Sequence, residues 1–190
     1  MTDLTSIWLP IIAAAFAGYI LSILLWAISP HHLADFKSLP DHDAFAKAIK
    51  DLGLGHGHYK FPHPKTQADF KDETFQRYYA EGPWGGIDLI PNKPNMARNM
   101  LFTLGYFVIV SVFVGYIISE SRAPGSPFIE VFQMGTTAAI MAYAMGGMLG
   151  QIWYPTITKR GFVTTLIDAA LYSLATGAVF AWLWPGAPTP

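Results

Sequence analysis

The sequence predicts an integral membrane protein, mainly α, organised as a four-transmembrane-helix bundle with a small α/β extramembrane subdomain between helices 1 and 2. Three observations carry that prediction. Hydrophobic residues make up 52% of the 190 and charged residues only 13%, against roughly 25% charged in ordinary soluble domains. The apolar residues fall into separate blocks, each longer than the ~18 residues a spanning helix needs. One long polar stretch interrupts them, between the first block and the second, and it holds all six histidines. A soluble fold of this length has no means of covering four such helices.

The blocks can be taken in order. Ile7–Ile28 carries no charge across 22 residues, and Met100–Ser119 none across 20. Val131–Ile152 has only Gln133 and Gln151 as strongly polar members, and Phe162–Trp184 contains one acid, Asp168. About 20 residues at 1.5 Å rise cover the ~30 Å hydrocarbon core. Trp8, Trp26, Trp153, Tyr154, Trp182 and Trp184 sit at block ends, where amphipathic rings mark the two water interfaces. The leader Met1–Ser6 contains Asp3 and no Lys or Arg, and no small-residue cleavage pattern follows the first block, so that block reads as a retained span and not a secretory signal. The domain division is therefore 1–28, first transmembrane helix; 29–99, polar α/β subdomain; 100–190, three further transmembrane helices.

Eleven of the twelve Lys and Arg residues lie between the first and second blocks or between the third and fourth, leaving Arg122 alone on the opposite side. By the positive-inside rule the segment 29–99 is expected in the cytoplasm and both termini outside. The formal net charge of −1 supplies no field for nucleic acid, and no nucleic-acid partner is expected. Absence of Cys excludes disulfides, iron–sulfur clusters and thiol chemistry.

Within the polar segment, Ser29-Pro30 reads as an N-cap and first helical residue of a short helix toward Ser38. Asp41 is expected to cap a second helix bearing Phe45, Ala48, Ile49 and Leu52 on one face and stopping at Gly53. Gly55–His58 reads as loose, Tyr59–Phe61 as a strand, Asp72–Ala80 as a helix closed by Gly82-Pro83, and Gly86–Ile90 as a second strand. The sum is an α–β–α–β subdomain whose core is marginal at this size. It is expected to rest on the membrane surface, on the short third loop or on a neighbouring subunit.

The features Ser29-Pro30-His31-His32, Leu39-Pro40-Asp41, Phe61-Pro62-His63, Gly82-Pro83 and Pro94-Asn95-Met96, with the four-span layout, resemble an uncharacterised group of bacterial four-span inner-membrane proteins. The resemblance implies a bacterial inner-membrane, multi-pass setting. It implies no activity.

His56, His58, His63, His31, His32 and Asp35 are the candidate metal ligands, with Zn or Cu as the metals that imidazole and carboxylate suit. If 30–38 is helical, His31 and Asp35 share a face. In an extended chain His56 and His58 point the same way, and His63 is held between two prolines. The bland alternative is a polar surface with solvated histidines. Asp168, the one intramembrane acid, reads either as a proton or cation relay or as a structural partner of Lys159, Arg160, Thr164 or Thr165; no second buried ionisable residue stands out as a relay partner.

Ala138, Ala142, Gly146 and Gly150 on the third span, with Ala14, Gly18 and Ser22 on the first and Ala169, Ser173 and Gly177 on the fourth, are small residues at four-residue steps that let helices approach closely. The second span has only Ser111 and Gly115 on such a stripe and is expected to face lipid. No catalytic residue is assigned, since no nucleophile elbow, P-loop or dinucleotide fingerprint is present.

Three functional readings follow. The first is a non-catalytic integral membrane protein, forming a homo-oligomer or serving as an accessory subunit of a membrane complex. The second is a histidine-cluster metal-binding membrane protein acting as sensor, transporter component or metalloenzyme. The third is a small transporter using Asp168.

Overall fold

The computed structural model describes residues 4–153 and 157–186. Tyr154 and the Trp153 side chain, both expected in the aromatic belt, lie outside what is described. Two compact units emerge, Met1–Lys37 with Asn95–Pro190, and Ser38–Pro94.

The first unit is helical. A 3-10 turn over Leu4–Ile7 leads into α1 (Trp8–Ile23), which ends in a π-helical turn over Leu24–Ile28. After the second unit come α4 (Met96–Ser121), α5 (Phe128–Trp153) and α6 (Lys159–Trp182). Among the described residues, four helices are long and apolar enough to cross a membrane: Thr5–Ile28, Met96–Ser121, Phe128–Ile152 and Lys159–Trp182. Asn95 and Thr158 cap α4 and α6, their side chains accepting from the N–H groups of Arg98 and Gly161 at 3.0 Å, which satisfies donors the first turn would otherwise leave open. Helix α1 packs on α4 and α6, and α5 packs on α4 and α6. We call proximal the end where α1 and α5 finish and α4 and α6 begin, and distal the opposite end.

The distal core is Ile7, Ile11, Val114, Ile118, Val131 and Phe180, all buried. Glycines set the helix spacing there. A Cβ on Gly135 would stand 3.2 Å from Gly177 Cα, and one on Gly115 would meet Ile7, Ile11 and Phe180 at 3.1–3.2 Å. Lower down, a Cβ on Gly18 would come within 2.6 Å of the Phe107 ring. The small residues Ala14, Gly18, Ala169, Ser173 and Gly177 therefore do lie at contacts between helices, as their spacing predicts.

One expectation changes. Helix α4 is not the most outward-facing helix, because Phe107, Val110, Ser111, Val114, Gly115, Ile118 and Ser119 are all buried. Bulky side chains can fill a helix interface as well as lipid can surround them, provided the facing helix supplies the small residue. Here Gly18 of α1 does so for Phe107. On α5, Ala138 is buried but Ala142, Gly146 and Gly150 are exposed, and a Cβ on either glycine would meet nothing within 4 Å.

The second unit follows the α–β–α–β order read from the sequence. Helix α2 (His42–Asp51) starts at Asp41, whose carboxylate accepts from Ala44 N–H at 2.9 Å, and is followed by Gly53 at φ 64°, where a Cβ would be strained. Strands β1 (Gly57–Phe61) and β2 (Gly85–Leu89) pair antiparallel, with Tyr59 opposite Ile87 and Phe61 opposite Gly85. Helix α3 (Glu73–Glu81) is capped by Asp72 and halts at Gly82, φ 75°. A 3-10 turn over Gln67–Lys71 was not predicted; the Thr66 and Asp69 side chains bond it in a reciprocal capping box. Those bonds, led by the Thr66 hydroxyl, hold the Asp69 carboxyl below its ordinary pKa. No residue from 38 to 94 is buried, in line with the marginal core expected.

Candidate metal centre

Residues 29–37 belong to the helical unit and not to the polar subdomain. Ser29 leaves the π-helical turn in an extended conformation, and Pro30 then fixes the first residue of the turn over Pro30–Asp35. That turn is 3-10 and not α. Its period of three brings i and i+3 into line, so the pair formed is His32–Asp35, at 2.8 Å from His32 Nδ1 to Asp35 Oδ2, and not the His31–Asp35 pair an α-helix would give.

On the facing helix α6, Arg160, Thr164 and Asp168 recur every four residues and share one stripe. Arg160 Nε donates to Asp35 Oδ1 at 3.1 Å, and its terminal NH2 to the His31 carbonyl at 2.9 Å. Thr164 donates to Asp35 Oδ2 at 2.6 Å. A Cβ at Gly161 would stand 3.4 Å from Asp35 Cβ, an ordinary van der Waals contact, so the turn lies close against the start of α6.

Asp168 is the meeting point. His31 Nε2 lies 3.1 Å from its Oδ1 and His32 Nε2 lies 2.8 Å from its Oδ2. The side chains of His32, Asp35 and Asp168 are 7%, 6% and 4% exposed, and that of His31 is 26% exposed. The Trp26 indole stacks on the His32 ring with centroids 3.7 Å apart, walling it from one side.

The bonding fixes the tautomers. Ionised carboxylates only accept, so His31 donates from Nε2 and can take the Ser29 hydroxyl proton on Nδ1, 2.8 Å away. His32 faces a carboxylate from each nitrogen, an arrangement that an imidazolium satisfies by donating from both. Burial opposes that charge, but the bonds to Asp168 and Asp35 outweigh it and raise the His32 pKa above its ordinary value. Asp35 moves the other way, its carboxyl held down by Thr164 first and then by His32 and Arg160. Two carboxylates, His32 and Arg160 then sum to zero charge, which is how a buried cluster avoids an uncompensated ion.

The expectation that Asp168 has no buried ionisable partner is thereby corrected. His32, from outside every apolar block in the sequence, folds back onto it. Sequence reasoning placed Arg160 and Thr164 beside Asp168, whereas both bond Asp35; it missed Ser29 as the anchor of His31 and Trp26 as a wall. The four-residue recurrence on α6 was the available signal for a shared face.

Of the candidate metal ligands, the structure brings together His31, His32 and Asp35, and adds Asp168. Among the described residues, one nitrogen from each of His31 and His32 and one Asp168 oxygen all lie within 4.8 Å of each other, close enough that they could hold a metal ion. His56, His58 and His63 belong to the second unit and are exposed. His56 lies before β1, so it does not share a strand face with His58, and His58 bonds Asp88 across the sheet.

Comparison with family models, with curated proteins and with solved structures finds no match to this chain.

Proposed function

We propose that the protein is a multi-pass membrane protein of the bacterial inner membrane that binds a divalent transition metal through His31, His32 and Asp168. One observation carries this reading: both imidazoles turn Nε2 toward a single buried carboxylate while their Nδ1 atoms are tied to Ser29 and Asp35. Metal-binding histidines are oriented in this way, the outer nitrogen fixed by an acceptor and the inner one free for the ion. Zinc or copper suits two imidazoles and a carboxylate. The Lys and Arg distribution supports a cytoplasmic location for the proximal end and for residues 38–94.

Binding requires Nε2 of both rings without its proton. His31 can move its proton to Nδ1 and donate to Ser29, whereas His32 must give one up while keeping the Nδ1–H bond to Asp35. The expected outcome is release of about one proton per metal near neutral pH. Zinc titration of the detergent-purified, metal-free protein by calorimetry in two buffers of different ionisation enthalpy measures both stoichiometry and proton release. One equivalent in the wild type, lost in His32→Ala and in Asp168→Asn, supports the centre. Identical weak binding by all three forms rejects it.

A second reading, self-assembly or service as an accessory subunit, is favoured by the open space beyond Gly146 and Gly150 on α5. Small residues facing lipid leave a groove that a neighbouring helix fills. The two readings are compatible in one molecule.

A further inference from the structure

Polar groups continue into the bundle beyond the metal centre. Thr164, Asp168, Tyr172 and Thr176 recur at four-residue steps on α6, a stripe about 18 Å long at 1.5 Å per residue. The Phe107 ring meets those of Tyr172 and Tyr143, with centroids 5.4 and 5.6 Å away, which sets these three at one level. One turn further, toward the distal end, lie Ser111 on α4 and Thr176 on α6, neither with any exposed surface. Thr136 follows, in contact with the backbone of Gly177.

The hydroxyls of Ser111, Thr136, Tyr143 and Thr176 are buried and make no hydrogen bond; those of Tyr143 and Thr176 are neighbours that fall short of bonding geometry. Hydroxyls that merely decorate a helix bond back to their own backbone. Ser173 does so to Ala169 O at 2.6 Å, Ser119 to Tyr116 O at 2.8 Å and Thr165 to Gly161 O at 2.8 Å. The four unpaired groups therefore have oxygens to offer in a place where an aliphatic side chain would pack at less cost. Interior polar groups of this kind mark ion pathways in membrane bundles. Beyond them the file meets Phe180, Ile118, Val131 and Ile7, none with any exposed surface, an apolar closure of the sort that gates by excluding water.

We infer that the ion bound by His31, His32 and Asp168 is cargo, that the unpaired hydroxyls of Tyr143, Thr176, Ser111 and Thr136 line the next stretch of its path, and that the apolar residues around Phe180 close that path in this state. The inference rests on the metal-centre reading above and adds a direction to it.

The test uses the full chain in proteoliposomes with a zinc indicator trapped inside and Zn2+ added outside, alongside zinc titration of the same preparations. The wild type is expected to give saturable influx above empty vesicles. Thr176→Val and Tyr143→Phe should each lower the initial rate about tenfold while zinc affinity stays unchanged, and Phe180→Ala should raise the rate. Retained affinity shows that a variant is folded. If Thr176→Val loses binding as well, Tyr143→Phe decides, because it removes one oxygen and no volume of ring. Binding without influx above empty vesicles overturns the inference and leaves the metal centre standing. Equal influx in wild type and Tyr143→Phe overturns the path. No saturable binding by the wild type overturns the metal reading, and this inference with it.

Discussion

At its distal end the helical bundle closes on Ile7, Ile118, Val131 and Phe180, with glycines bringing the backbones together. At its proximal end α1 and α6 are joined through Asp35, Asp168, His32 and Arg160, while the last turns of α5 stand bare. In a bilayer, apolar side chains gain nothing by leaving lipid for protein, so a distal half placed there would depend on close dispersion contact. The proximal half depends on charge, which obliges every member to keep its partner. One half thus tolerates changes of size badly and the other tolerates loss of a single group badly. Variants can separate the two.

The largest effect is expected at Asp168. Asp168→Ala leaves His32 buried with one carboxylate and His31 with none, and breaking a buried ion pair on one side costs about 3–5 kcal/mol. Thermal unfolding of the detergent-solubilised protein should show it as a large drop in melting temperature. A melting temperature like that of the wild type would mean the proximal half is held by something else.

Next comes Gly177→Val in the distal half. A Cβ there would overlap Thr136 Oγ1 and stand 2.8 Å from Thr136 N and 2.9 Å from Phe132 O. Two of those atoms are backbone and cannot rotate away, so overpacking of about 1–3 kcal/mol is a lower range. The same unfolding measurement reads it, and unlike Asp168→Ala the variant should keep one equivalent of zinc.

A smaller effect follows pH and has opposite signs for stability and for metal binding. The raised His32 pKa means that its contribution to the metal-free fold is fully present below its ordinary value and is lost as pH rises through the raised one. The lowered Asp35 pKa means that its contribution is present above the ordinary carboxyl value and is lost as pH falls through the lowered one. Metal-free protein should therefore be most stable on the mildly acidic side of neutrality. Zinc affinity should instead climb as pH rises, since the ion competes with the His32 proton. Melting curves and titrations across pH 5–9, the window where imidazoles charge, would show both; parallel trends would place the titrating group elsewhere.

Much of the helical unit was legible because length and apolarity are local properties of the chain. The cap at Asp41 and the stops at Gly53 and Gly82 were legible for the same reason: each acts within one turn. The α4 assignment failed because composition says how large a side chain is and not whether a facing Gly18 has made room for it. The centre was half legible. His31, His32 and Asp35 carried the right chemistry, and Asp168 was conspicuous as the acid in an apolar block. Their union depends on a π-helical end to α1 and a 3-10 turn after it, and the sequence pattern distinguishes neither from an α-helix. Histidine clustering along the chain spans two compact units, with His31 and His32 in one and His56, His58 and His63 in the other.

The place of His56 and His58 has its own small-effect test. With both side chains exposed and the His58–Asp88 bond on the surface, the double variant His56→Ala/His58→Ala should change stability by less than about 0.5–1 kcal/mol. Zinc stoichiometry should stay at the wild-type value by calorimetry. Loss of the bound equivalent would return these histidines to the metal site.

The smallest expected effect on the fold comes from Gly146→Leu, and that smallness makes it useful. A new side chain at Gly146 meets open space, and replacing a mid-helix glycine with leucine removes about 0.8–1 kcal/mol of intrinsic helix cost. The melting temperature of the isolated chain should hold or rise slightly. Assembly should respond differently, because a groove floored by Ala142, Gly146 and Gly150 would admit a neighbouring helix and a leucine in its centre would exclude it. Light scattering in mild detergent compares the two forms directly. A fall in particle mass with an unchanged melting temperature identifies the bare face of α5 as a contact between chains. A wild type that is already monomeric removes self-assembly, and the proximal half of α5 is then a surface for lipid or for a different protein.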